Sequence, residues 1–196
     1  MKRLLTALLC CLLLAGCSAG PVASEDQPDS AWALLDQSGC EFVYTDSLDT
    51  EDGTIAAGLA YEDGDWITVT ALAPSGGETE TTERPMYQAD TGSEGIRVWY
   101  GVCGTAEHPF LMLRIDEDEP TCRALGIQGS DLTLELNDTG GDPLKWACTG
   151  LTGLPDENNC LTITLSDINT GKNNQAKEPY CAFSIDLTDA LAGAGW

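Results

Sequence analysis

His108 is the only histidine in this 196-residue chain, so a hydrolase drawing its general base from an imidazole would have one residue to use. It stands beside Pro109, ahead of an apolar stretch, where an ordinary loop position is the simpler reading. A G-x-S-x-G nucleophile elbow is missing, because Thr91-Gly92-Ser93-Glu94-Gly95 has the wrong glycine spacing. Carboxylates are abundant, with 32 Asp and Glu. Glycosidase chemistry, however, needs two of them about 5 to 9.5 Å apart, a spatial property that spacing in sequence does not report. No residue is therefore assigned a catalytic role.

Oxygen-rich turns suit calcium, the one cofactor these residue types bring into question. Asp49-Thr50-Glu51-Asp52-Gly53 resembles part of an EF-hand loop, but aligning Gly53 with the loop glycine puts Leu48 and Leu59 at the first and last ligand positions. Asp167-Ile168-Asn169-Thr170-Gly171 alternates oxygen side chains without a glutamate at the closing position. The acidic run Asp116 to Glu119 is the kind that ordinarily faces water. The candidates that remain for a cation are Asp49, Glu51 and Asp52 in one turn and Asp63 and Asp65 in another.

Exposed rings stack on sugars and dock peptides, and they also line cores. Core packing is the ordinary reading for Trp66, Trp99 and Trp146. Trp66 begins a strand beside an acidic turn, and Trp99 alternates with Val98 and Tyr100. Trp66 and Trp99 are thus the candidate ligand-binding residues.

The N-terminus carries a different chemistry. Lys2 and Arg3 precede a leucine-rich stretch from Leu4 to Leu14, and Leu14-Ala15-Gly16-Cys17 places a cysteine after small residues. This pattern, over residues 1 to 17 only, resembles the lipobox of bacterial prolipoproteins. The resemblance implies a diacylglyceryl group on the Cys17 thiol, removal of residues 1–16, and a chain anchored by lipid outside the cytoplasm in the bacterial cell envelope. The apolar run is shorter than the roughly 20 residues that span a bilayer. Residues 17–29 then read as lipidated cysteine and tether, and 30–196 as one β-rich domain. Ser18 lacks the aspartate that the family associates with inner-membrane retention.

Of nine cysteines, Cys10 and Cys11 would leave with the signal and Cys17 would carry lipid. Cys40, Cys103, Cys122, Cys148, Cys160 and Cys181 remain as candidates for three disulfides, since none forms a C-x-x-C. Six cysteines permit 15 pairings. The non-crossing set joins Cys103 to Cys122, Cys148 to Cys160 and Cys40 to Cys181. Loss of Lys2 and Arg3 leaves seven basic against 32 acidic residues, a net charge of −25. Such a field repels nucleic acid and favours cationic ligands, a basic envelope protein among them.

Period-two alternation dominates the elements that must position these groups. Cys181, Phe183, Ile185 and Leu187 share one face, as do Leu161, Ile163 and Leu165; Leu132, Leu134 and Leu136; Leu111, Leu113 and Ile115; and Ile96, Val98 and Tyr100. Thr54 to Tyr61 and Trp66 to Leu72 flank Asp63-Gly64, which supplies the positive-φ residues of a tight hairpin. A second hairpin is expected between Asp131 to Leu136 and Leu144 to Cys148. Ser30 could cap a short helix over Ala31 to Gln37 stopped by Gly39, and Leu187 to Ala192 a terminal turn. Pro74 to Pro85 reads equally as a boundary or as a long polar loop on one domain. Nine or ten short strands argue for two packed antiparallel sheets or a partly closed barrel, and the expectation is an all-β, disulfide-stabilised antiparallel sandwich of two sheets, with immunoglobulin-like architecture one form of it. The functional expectation is a noncatalytic, lipid-anchored module with a binding surface. A small extracytoplasmic hydrolase and a carbohydrate-binding module are the alternatives.

Overall fold

The computed structural model describes residues 33, 35–74, 78–127, 133–135, 143–168 and 176–196. The Asp-Gly hairpin is where the chain's local chemistry is plainest. Asp63 (φ 50°) and Gly64 (φ 99°) turn β2 (Gly53–Glu62) into β3 (Asp65–Pro74), both central residues adopting the positive φ of a type I′ turn. β1 (Phe42–Thr50) pairs with the other side of β2, and β4 (Glu80–Pro85) with the other side of β3, giving a first antiparallel sheet ordered β1-β2-β3-β4.

β5 (Tyr87–Ala89), β6 (Ile96–Gly104), β7 (Pro109–Glu117) and β10 (Trp146–Gly150) form a second sheet, ordered β10-β7-β6-β5. The third is β12-β11-β8-β9, from β8 (Ala124–Ile127), β9 (Thr133–Glu135), β11 (Cys160–Ser166) and β12 (Cys181–Asp186). The expectation of two sheets is corrected to three. β6 explains why: its residues Tyr100 to Gly104 are buried without interruption, the burial pattern of a strand covered on both faces.

The second sheet feeds two hydrophobic clusters from its two faces. Val98, Tyr100, Val102, Leu111, Leu113 and Ile115 pack with Leu125, Ile127, Ile163, Leu165, Phe183 and Ile185 of the third sheet. The Tyr100 hydroxyl crosses that interface to donate to the Asp186 carbonyl at 2.9 Å. From the other face, Cys103 and Met112 pack with Ala57 and Leu59 of the first sheet. Hydrogen bonds knit that contact too, since Thr70 Oγ1 accepts from Gly104 N at 2.9 Å and Thr68 Oγ1 donates to the Val102 carbonyl at 3.5 Å. Gly58 lets Phe42 lie against the outer side of the first sheet, where a Cβ would come within 2.4 Å of the Phe42 ring.

The six cysteines of the described body are free thiols. None of the non-crossing pairs is bonded, and the clusters give the reason. Cys103 lies in the cluster between the first two sheets and Cys122 in the one between the second and third. Cys148 packs against the Cys103 cluster while Cys160 opens β11, and Cys40 packs outside the first sheet, away from Cys181. Burial pushes the Cys103 and Cys122 thiols up to about 12.

The second expected hairpin is also corrected: β9 pairs with β8, whereas β10 pairs with β7 in a different sheet. Glu80–Pro85, expected in a boundary or loop, is an edge strand with exposed charges. Gly39 ends a 3-10 turn, Asp36–Ser38, with φ 79° as expected of a stop; residues 1–32 of the anchor, tether and Ser30 cap lie outside the described residues. Helix α1 (Thr188–Gly193) supplies the terminal turn. Among the described residues no helix is long and apolar enough to cross a membrane.

Candidate functional site

Ten-residue β2 and β3 carry their turn to the edge of the second sheet, so that the hairpin tip faces side chains of β5, β6 and β7. Tyr61 and Trp66 are register partners across that hairpin, one pair in from the turn-flanking Glu62 and Asp65. Gln88, Trp99 and Arg114 are register partners in turn across β5, β6 and β7, and partners directly opposite share a face. Asp116, opposite Arg97, lies two residues along β7 from Arg114 and so points the same way.

The result is an open cleft of about 540 Å³, lined by Tyr61, Gly64, Asp65, Trp66, Met86, Gln88, Trp99 and Asp116. Its rings touch in series, Tyr61 to Trp66 at 4.9 Å between centroids and Trp66 to Trp99 at 6.3 Å, with interplanar angles of 55° and 51°. Tyr61 is more than half exposed, whereas Trp66 reaches back into the cluster between the first two sheets. The Arg114 guanidinium lies 5.1 Å from the Trp66 ring centre and is held by the carbonyls of Ile115 and Lys145. Burial lowers its pKa, partly offset by Asp116.

Two of the sequence's ligand candidates, Trp66 and Trp99, are thus brought together with one of its acidic candidates, Asp65. Asp63 belongs to the adjoining depression with Glu62, Glu83, Arg84 and Met86. One Asp116 oxygen accepts from Arg97 Nε at 3.0 Å and Nη2 at 2.9 Å, and Arg97 Nη2 also reaches Asp118 at 3.0 Å. The cleft therefore keeps an acidic rim, with Asp65 carrying no ion pair among the described residues. Residue spacing could not reveal Gln88 and Asp116, which join through strand pairing, or Met86, which joins from the link between β4 and β5.

Asp49, Glu51 and Asp52 lie elsewhere. They occupy the β1–β2 turn, at the opposite end of β2 from Asp63 and Asp65; nine steps at about 3.4 Å put the two turns on the order of 30 Å apart. Among the described residues no group of three or more His, Cys, Asp and Glu side chains is arranged to hold a metal ion. The expected calcium loops consequently find no shared ligand geometry. The Asp49–Asp52 turn instead meets His108, and the two line a depression of about 640 Å³. A neighbouring groove of about 430 Å³ adds Glu80 and Glu107 over Ile55, Leu72 and Ala73. His108 is held there through its backbone, whose N–H donates to Thr105 Oγ1 at 3.1 Å and whose carbonyl accepts from Thr105 N at 3.2 Å.

Cys103, Cys122 and Cys148 are poorly placed for nucleophilic work, since burial raises each thiol. Burial and the nearby Cys103 and Asp46 raise Cys148 well above the usual thiol range, keeping it protonated. No family model matches the chain, and neither do curated proteins or solved structures.

Proposed function

We propose that this protein is a noncatalytic, lipid-anchored envelope protein, held to the membrane through Cys17, whose body presents the Tyr61–Trp66–Trp99 cleft as a binding surface. The observation carrying this reading is the cleft itself. Three rings from two sheets converge on a concavity whose volume falls within the roughly 300 to 1,000 Å³ of small-molecule sites. No thiol or histidine lines it. The net charge of −25 after signal removal makes cationic ligands the electrostatically compatible class.

A carbohydrate-binding module is supported less well, because the rings are tilted by more than 50° and offer no common plane for a sugar chain. A hydrolase would centre on His108 and the acidic groove beside it. Its ring, however, has no hydrogen bond to a carboxylate among the described residues.

Two measurements test the proposal together. Cys17→Ser abolishes metabolic incorporation of labelled fatty acid if the anchor is as proposed. Chemical-shift mapping of ligand panels on the protein concentrates at Tyr61, Trp66 and Trp99 if the cleft is the surface; shifts clustered at His108 with turnover of an ester or glycoside would favour the hydrolase instead.

A further inference from the structure

We infer that the cleft's ligand is an alkylated ammonium ion, its cationic head set against Trp99 and Tyr61 beneath the acidic hairpin tip. This rests on the reading of the cleft as a binding surface and adds the chemistry of its occupant. Three observations select that chemistry.

The first is what the walls can and cannot supply. Indole, phenol and thioether surfaces from Trp66, Trp99, Tyr61 and Met86, with the bare backbone of Gly64, offer ring faces and polarizable contact, and the side-chain acceptors beside them are the Asp65 and Asp116 carboxylates and the Gln88 amide oxygen. A primary ammonium or guanidinium entering there would exchange its water shell for those three side chains at the margin, while the ring faces accept none of its N–H groups at full strength. An ammonium whose protons are replaced by alkyl groups sheds its water at low cost, and ring faces attract it.

The second is charge. Asp65 at the tip and Asp116 on the floor line the cleft, and Glu62, Asp63 and Glu83 outnumber Arg84 in the adjoining depression. Asp116 spends one oxygen on Arg97, so it acts on a ligand through space rather than as a bidentate fork. That arrangement suits a diffuse cation better than a guanidinium, which gains most from a paired carboxylate.

The third is the protein's own use of the same surface. Arg114 already sits 5.1 Å from the Trp66 ring centre and is not itself one of the residues that line the cleft. This leaves Trp99 and Tyr61 as the rings open to a second cation. Their tilt, which fits a flat sugar poorly, fits a rounded head that meets each ring along a different direction.

The test is calorimetric titration of the full-length protein in nonionic detergent with tetramethylammonium chloride, and with 2,2-dimethylpropanol as a neutral analogue of similar shape. Sodium chloride is held constant in both. The expected result is saturable binding of tetramethylammonium, with the alcohol at least fivefold weaker. Trp99→Phe, which keeps a ring, should weaken it several-fold, and Asp65→Asn, a near-isosteric change at an exposed position, two- to fivefold. Equal affinity for the ion and the alcohol would overturn the ammonium assignment while leaving a hydrophobic binding cleft. Binding of butylamine or an alkylguanidine in strong preference to tetramethylammonium would overturn it in favour of a hydrogen-bonding cation. Tetramethylammonium binding unchanged in both variants would place the cation elsewhere and overturn the site. If a panel of cations, sugars and peptides leaves the Trp66 and Trp99 resonances unmoved, the binding-surface reading falls as well.

Discussion

The two faces of the second sheet are made from alternate residues of the same strands, yet they do different things. Toward the third sheet β6 and β7 present Val98, Val102, Leu111, Leu113 and Ile115, each no more than 2% exposed, a hydrocarbon interface closed to solvent. Toward the first sheet they present Trp99, Cys103, Met112, Arg114 and Asp116, which form a sulfur- and ring-rich interface that opens at one end into the cleft. The difference teaches that period two lets one strand carry structural cohesion on one side and recognition on the other. It also predicts that the two sets of residues can be damaged separately.

The largest effect is expected on the closed face. Leu113→Ala removes buried contacts between the second and third sheets and should cost about 2 to 5 kcal/mol, read from urea unfolding, while ligand binding at the cleft stays intact in the folded fraction. Loss of binding in step with stability would mean that the two faces do not act independently.

Raising pH should damage both faces, one through each buried thiol. Cys103 and Cys122 are held near 12, above the roughly 8.5 of an unfolded cysteine. Because the native state favours the protonated thiol, the associated stability is present below the unfolded value and is lost as pH climbs from there toward 12. Thermal midpoints should therefore fall progressively above about pH 9. Cys103→Ala should flatten this decline through the cleft-side interface, and Cys122→Ala through the closed one. A midpoint independent of pH up to 11 would contradict the burial of both.

Arg114→Met should cost less, about 1 to 2 kcal/mol, since it removes charge-assisted hydrogen bonds to the Ile115 and Lys145 carbonyls while keeping an extended side chain. Its sharper readout is the emission of Trp66, which loses its stacked cation. The smallest effect is expected at the rim of the third sheet, where Lys177 and Arg123 reach Asp167 at 2.5 and 3.0 Å. Hydrogen bonds from Lys177, the Ile168 amide and Arg123 hold the Asp167 carboxyl down to about 2. This contribution is present above the unfolded carboxylate value of about 3.9 and disappears as pH falls toward 2. Asp167→Asn should lower stability by under about 1 kcal/mol at pH 7, with the variant and parent converging in acid.

Local chemistry made some of this legible and hid the rest. Asp63-Gly64 identified its hairpin because positive φ at two consecutive residues is a strong local constraint, and the alternation at Ile96–Tyr100, Leu111–Ile115, Leu161–Leu165 and Cys181–Leu187 marked β6, β7, β11 and β12. The same alternation could not choose neighbours. It suggested that Asp131–Leu136 and Leu144–Cys148 pair with each other, whereas pairing follows which exposed edge and which apolar face each strand can reach. β4 escaped notice because an edge strand needs no apolar face to be held, only ladder bonds to β3.

For the site, residue type alone singled out Trp66, Trp99, Asp63 and Asp65 but also Asp49, Glu51 and Asp52, which fold to the far end of β2.

By itself the sequence determined the β character, the tight turns, the acidic charge and the set of groups available for chemistry, because each follows from local torsional preference or from composition. Tertiary structure decided that there are three sheets, that the thiols expected to pair lie apart from one another, and that Tyr61, Trp66 and Trp99 share one cleft. Those outcomes depend on which faces cover one another, and that is settled by the total apolar surface the whole chain can bury at once.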